Sequence, residues 1–284
     1  MPVVLLTGCS SGFGLRAALH FARSGDTVVA TMRDITKGAE LEAARDAEGL
    51  DLTLVPLDVT DDQSVATAVG RALEDHGRID VLVNNAGVGI RGAVEDVQHD
   101  ELVAVFDANL FGALRVLRAV LPVMRAQGSG VVVNVSSLGG RVSSPFAGVY
   151  SATKFALEAV SEALRYELGP FGIRVAIVEP GGYPTAFDAN RRLADSNDES
   201  PYSDLRRRWE EAYANLPGRE GPPPDPDEVA LAIREVALDP QAPLRRLVGA
   251  DAELIGALRR DLDDEAFEAT VRASLDFWEG STGR

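Results

Sequence analysis

Six short apolar runs, separated by segments of helical period, constrain this chain more than any other feature of it. The runs at 3–8 (VVLLTG), 27–32 (TVVATM), 52–59 (LTLVPLDV), 79–87 (IDVLVNNAG), 130–137 (GVVVNVSS) and 173–181 (IRVAIVEPG) are rich in Val, Ile and Leu and do not alternate polar with apolar. Strands of that kind are buried on both faces, as in a parallel sheet covered by helices. Between them, 15–24, 38–49, 61–76, 100–127 and 151–169 carry apolar residues at helical spacing, with Thr60-Asp61-Asp62 as an N-cap signal. Strand and helix alternating about six times predicts an α/β fold, a doubly wound (Rossmann) parallel sheet flanked by helices.

The pattern changes after Pro180-Gly181. Residues 185–224 are polar, carry Phe187, Tyr202, Trp209 and Tyr213, and end in three prolines. The stretch is expected to be a substrate flap within one dinucleotide-binding domain spanning 1–284, since no linker or internal repeat divides the chain. Asp225 is the expected cap of a helix with Pro226 at its first position and Glu228 three residues after the cap. That helix runs to about Leu238, and a short strand (LRRLVGA) and C-terminal helices follow. The stretch RRRWEEAY (206–213) alternates in charge and is expected to form a solvated amphipathic helix with Trp209 and Tyr213 turned towards a pocket.

The formal net charge of −16 argues against nucleic acid or an anionic membrane surface as partner. An anionic ligand must therefore be held by local features acting against the global field. Cys9 is the single cysteine, so no intramolecular disulfide forms and a reducing, cytoplasmic setting is expected. MPVVLLTG has no basic region and too short an apolar run for a signal peptide or a membrane span. His20, His76 and His99 lack ligand spacing, and no metal site is expected.

Three motifs carry chemistry. Thr7-Gly8-Cys9-Ser10-Ser11-Gly12-Phe13-Gly14 lies between the first strand and the first helix, where glycines permit a tight turn and let backbone N–H groups approach a pyrophosphate. At the end of the second strand stand Met32, Arg33 and Asp34, where NAD-binding folds place an acidic residue for the ribose 2′-hydroxyl. A guanidinium suits a 2′-phosphate, so Arg33 favours NADP(H) over NAD(H), while Asp34 is free either to pair with Arg33 or to bind ribose itself. Third, Tyr150 and Lys154 are four apart on one helical face, and an ammonium beside a phenol pulls its pKa down from about 10. Such a tyrosine can pass a proton to or from the oxygen of a carbonyl–alcohol pair, with Ser137 at a strand's carboxyl end hydrogen-bonding that oxygen. The pair alone carries little weight; its position after the glycine turn makes it informative.

Taken in order, TGCSSGFG (7–14), Asp58-Val59, Asn84-Asn85-Ala86-Gly87, Asn109, Ser137, Tyr150-xxx-Lys154 and Pro180-Gly181-xxx-Thr185 resemble the short-chain dehydrogenase/reductase family over roughly residues 3–185. TGCSSGFG with ATMRD, and Ser137 placed 13 residues before Tyr150, are most similar to the branch holding 17β-hydroxysteroid and retinol dehydrogenases. The resemblance implies that Gly8, Ser10, Gly12, Phe13 and Gly14 line the cofactor phosphates and ribose, with Ser10 and Arg33 at the 2′-phosphate. It implies adenine contacts for Asp58 and Val59, a ribose-side wall of Asn85, Ala86 and Gly87, and carboxamide contacts for Pro180, Gly181 and Thr185. It makes Tyr150 the general acid/base, Ser137 the partner of the substrate oxygen, Asn109 the holder of a proton-relay water, and Lys154 a ligand of the nicotinamide ribose. A homodimer or homotetramer through 100–127 and 151–169 is implied too. The leading expectation is an NADP(H)-dependent oxidoreductase for a fairly apolar, bulky carbonyl or secondary alcohol (steroid, retinoid or polyketide-like). A cofactor-sensing binding protein, or an enzyme of C=C reduction or epimerisation, are the alternatives.

Overall fold

A computed structural model describes residues 1–189, 192–194, 200–215 and 222–275. The sequence-derived flap at 190–191, 195–199 and 216–221 lies outside the described residues. The apolar runs form β1 (Val3–Leu6), β2 (Thr27–Met32), β3 (Leu52–Pro56), β4 (Val81–Asn84), β6 (Gly130–Val135) and β7 (Ile173–Pro180), with β5 (Ile90–Arg91) between β4 and β6. The late strands are β8 (Arg192–Leu193) and β9 (Arg245–Val248). The main sheet has seven strands in the order β3-β2-β1-β4-β6-β7-β9, every pairing parallel. Its order reverses between β1 and β4, so a crevice opens above the carboxyl ends of those strands, where open α/β sheets bind ligands.

The helices are α1 (Gly12–Arg23), α2 (Ala39–Glu48), α3 (Asp62–His76), α4 (His99–Phe106), α5 (Gly112–Gln127), α6 (Gly148–Leu168), α7 (Ala186–Ala189), α8 (Ser203–Ala214), α9 (Asp227–Leu238), α10 (Ala250–Asp261) and α11 (Asp264–Ser274). Strand periodicity sorts the core into two layers. Val4 and Leu6 pack with α1, Leu41 of α2 and Ile233 of α9, whereas Leu5 between them packs with Val69 of α3 and Leu117 of α5. Both faces of β1 are therefore apolar, which is why its sequence does not alternate. No helix among the described residues is long and apolar enough to cross a membrane.

Two boundaries differ from the sequence expectation. The segment at 100–127 is not one helix: a π-helical turn, Asp107–Phe111, separates α4 from α5. A π turn adds one residue to the helical register, and here Asn109 becomes buried while Phe111 stays exposed; apolar periodicity is too coarse to resolve such a shift. α9 starts at Asp227, one residue later than expected, because Asp225 Oδ1 accepts from Asp227 N at 3.0 Å in a local turn. Asp61 does cap α3 as expected, accepting from Ser64 N.

Candidate active site

The glycine turn is built by close backbone approach. Gly8 and Gly12 have φ of +75° and +58°, the left-handed region that favours glycine. A Cβ on Gly8 would lie 2.8 Å from Ala86 Cα, so the turn and the 85–87 segment meet backbone to backbone. Asn85 braces them: its Nδ2 donates to Thr7 O and Gly8 O at 2.9 and 3.1 Å, and Thr7 Oγ1 accepts from the N–H of Asn85 and of Ala86 at 3.0 Å. Ser11, at the N-cap of α1, makes no side-chain cap, and the first turn carries no acidic residue. The exposed N–H groups of that turn and the helix dipole suit an anion.

Beyond the turn stand two cations. Arg33 and Lys37 are exposed, line the same cavity as Ser10, and their side chains make no hydrogen bond or ion pair within the described residues. Asp34 pairs with neither: its Oδ1 accepts from Thr36 N and Oγ1 at 3.1 and 2.6 Å, bonds that hold its carboxyl below the usual range. Burial opposes the charge on Asp58, but Thr60 N and Oγ1 donate to it at 3.0 and 2.8 Å and Arg33 and Arg115 add positive potential, so its carboxyl lies below the usual range.

Ser137 emerges from the carboxyl end of β6 and accepts from Gly139 N at 3.0 Å, which leaves its hydroxyl hydrogen for another acceptor. Tyr150 and Lys154 are one turn apart on α6, with Nζ 5.9 Å from the tyrosine ring centroid. A Cβ on Gly139 would lie 3.3 Å from both Ser137 Oγ and Tyr150 Cε1, so the serine hydroxyl and tyrosine ring converge across that glycine. Lys154 is buried, donates to Val135 O at 2.9 Å, and burial lowers its pKa to about 8. Behind them Asn109 Oδ1 accepts from Val88 N at 2.7 Å, and Nδ2 donates to Val88 O and Thr153 Oγ1 at 2.9 and 3.1 Å. Its amide is thereby committed to the protein, with one lone pair of Oδ1 to spare.

These parts surround one cavity of 1010 Å³. Of the catalytic and cofactor residues that the family resemblance implies, all but Gly14 and Asn109 line it, and those two lie directly behind its wall; Asp34 and Tyr202 do not line it. Its lining also includes a group of apolar side chains, together with Arg91 and Glu210. Phe187 packs on Tyr150 at 5.8 Å, and Trp209 and Tyr213 of α8 stack at 5.6 Å, as expected for RRRWEEAY. Leu254 and Leu258 of α10 and Phe267 and Val271 of α11, the last packed in one cluster with Trp209 and Tyr213, also line the cavity, and sequence reasoning did not assign them to the site. Lys37 and Thr7 were missed as well. Lys37 carried a signal, a second base four residues after Arg33; the role of Thr7 depends on contacts 78 residues away and had none. Cys9 is buried, with its thiol pushed up to about 12 by burial, and is no nucleophile.

The model of the short chain dehydrogenase family matches residues 2–196. A 3-ketodihydrosphingosine reductase of Bacteroides thetaiotaomicron is 33% identical, covering 95% of this chain and 96% of the relative. Retinol dehydrogenase 8 of Homo sapiens is 40% identical (86% of this chain, 80% of the relative), and 17-beta-hydroxysteroid dehydrogenase type 1 of Homo sapiens is 45% identical over a shorter span (65% and 58%). Among solved structures, a short-chain dehydrogenase from Streptomyces avermitilis superposes with a TM-score of 0.77 at 38% identity, covering 98% of this chain and 97% of that one.

Proposed function

The chain belongs to the short-chain dehydrogenase family of oxidoreductases, and on that premise we propose that it is an NADP(H)-dependent enzyme interconverting a carbonyl and a secondary alcohol on an apolar, bulky substrate. The observation that carries the reading is the convergence of Ser137 and Tyr150 across Gly139, with Lys154 beneath the ring and the glycine turn alongside. The residues present fit a dinucleotide: Gly8 and Gly12 hold the left-handed φ that makes the tight turn, both line the cavity, and α1 presents an N-terminus without a side-chain cap.

When bound, the nicotinamide supplies or accepts the hydride. The chain's own residues handle the oxygen. Ser137 donates to it and fixes its position, while Tyr150 delivers a proton to it in reduction and withdraws one in oxidation. Lys154 carries its charge below about pH 8 and stabilises the tyrosine oxygen as the proton leaves; the N–H groups it does not spend on Val135 suit ribose hydroxyls. Pro180, Gly181 and Thr185, which line the cavity, would meet the carboxamide, and Asp58 and Val59, which line it too, the adenine. Arg33 and Lys37 support NADP(H), because two cations without a side-chain partner among the described residues, lining the same cavity as Ser10, suit a 2′-phosphate and Asp34 is engaged in its own turn. The apolar side chains of the lining support a bulky substrate. We further assign the protein to the cytoplasm and to a homodimer or homotetramer through α4, the π turn, α5 and α6, which leave Val103, Phe111 and Phe155 exposed.

The test is a titration with NADPH and NADH, followed by a panel of ketones from small to polycyclic. NADPH is expected to bind at least about tenfold more tightly, with Arg33→Ala removing most of the difference, since hydrogen bonds to charged groups contribute about 1.5–3 kcal/mol. Equal affinities throughout overturn the cofactor assignment. Tight cofactor binding with no turnover of any carbonyl overturns the reaction.

A further inference from the structure

The turn after β7, Gly181-Gly182-Tyr183-Pro184-Thr185, is held by two carboxylates that arrive from the C-terminal quarter of the chain. Gly182 N donates to Asp251 Oδ2 at 2.9 Å, while Asp251 Oδ1 accepts from Ala252 N at 2.8 Å. Asp251 stands in the first turn of α10 and is buried, 6% exposed. A Cβ on Gly181 would collide with its carboxylate, so glycine is needed there for Asp251 to close on the turn. Tyr183 is the second anchor. Its ring meets Phe13 of the glycine turn edge-on at 5.7 Å, and its hydroxyl donates to Glu228 Oε2 of α9 at 2.8 Å. Burial first, and then Glu228, push the phenol's pKa up, so it remains a donor. Gly249, with φ of +103°, brings the end of β9 beneath both: a Cβ there would lie 3.1 Å from Asp251 Oδ1 and from Tyr183 Oη.

Starting a helix does not require this arrangement. Asp263 caps α11 from the exposed surface, accepting from Ala266 N at 2.8 Å. A buried carboxylate is costly to desolvate, and it persists where its bonds fix something else. What it fixes here is the choice of donors. Gly181 N is spent on Val248 O at 2.9 Å, Gly182 N on Asp251, and Pro184 has none. Among the described residues, the N–H groups of Tyr183 and Thr185 and the Thr185 hydroxyl have no partner, and both residues line the cavity.

We propose that Asp251, with Tyr183 as its neighbour, is a positioning residue for hydride transfer: it sets the 181–185 turn so that the donors left over grip the nicotinamide carboxamide. The proposal rests on the reading above that the cavity takes a nicotinamide dinucleotide. Asp251 does not line the cavity and acts through Gly182.

The experiment compares, by calorimetry, two ligands that differ only in the nicotinamide: NADPH and 2′-phospho-ADP-ribose (NADH and ADP-ribose if wild type prefers those). Asp251→Asn keeps the shape but gives up one of the two acceptors. It is expected to weaken NADPH about tenfold and to leave 2′-phospho-ADP-ribose within about twofold. Tyr183→Phe, which removes only the hydroxyl, is expected to show the same selective loss at about threefold. Parallel losses for the two ligands reveal a merely structural role and overturn the proposal, as does unchanged NADPH affinity in both variants. Wild type that binds NADPH yet reduces no carbonyl refutes the proposed reaction while this binding comparison stands. Wild type that binds neither ligand overturns both.

Discussion

Lys154 places a positive charge under Tyr150 at a cost that can be measured. Burial lowers its pKa to about 8, against about 10.4 in an unfolded chain. Between those values the unfolded state holds more protons than the folded one, so stability attributable to this group rises with pH by up to about 1.4 kcal/mol per unit and is flat below about pH 8. Lys154→Met lacks that titration. Urea unfolding of both proteins from pH 7 to 10, without cofactor, should therefore show the difference moving in favour of wild type above about pH 8; parallel profiles would contradict the burial of a charged amine. At this scale the sequence was most legible where order could be used. Tyr150 and Lys154 gained meaning from following Gly8, Asp58, Asn85 and Ser137. It was least legible where a side chain's job is set by a distant backbone atom, as for Thr7 with Asn85 or Asp251 with Gly182. Asp34 lay between: its two possible roles were readable, but its actual use within its own turn was not.

Among the elements, α11 stands apart. None of its own residues is fully buried, yet Phe267, Val271 and the following Leu275, spaced by four, line the cavity, and Val271 and Leu275 pack into the small cluster around Trp209. An amphipathic stripe looks the same in sequence whether it faces a core or a ligand, which is why this wall went unread while Trp209 and Tyr213 were anticipated. The π turn at Asp107–Phe111 escaped for the opposite reason, since one inserted residue hardly disturbs apolar periodicity over 28 positions. The strands were legible because burial on both faces leaves a distinctive run. If α11 is a substrate wall, Val271→Asp should raise KM for a polycyclic ketone about tenfold or more, since a carboxylate there faces an apolar ligand. A small aliphatic ketone should be turned over as by wild type. Equal effects on the two ketones would return α11 to a structural role.

The whole molecule carries a net charge of −16 yet is read as binding a polyanionic cofactor. Local design resolves the conflict: the N-terminus of α1, with Arg33 and Lys37, lies at the crevice where the sheet order reverses between β1 and β4, and the excess acid is distributed elsewhere. The doubly wound sheet was legible as a whole because its repeating unit occurs six times and each repetition reinforces the others. The closing wall of α10 and α11 occurs once and had no such support. The central claim, hydride transfer to a carbonyl carbon with Tyr150 serving the oxygen, is tested most directly by following one atom. With NADPH carrying deuterium at the transferable position and a bulky ketone as acceptor, wild type should yield alcohol with a single deuterium on the carbinol carbon. Tyr150→Phe should do so about a hundredfold or more slowly with cofactor affinity preserved, the usual scale of a lost general acid. Deuterium on a former C=C carbon, or cofactor bound with no label delivered to any carbonyl, would contradict it.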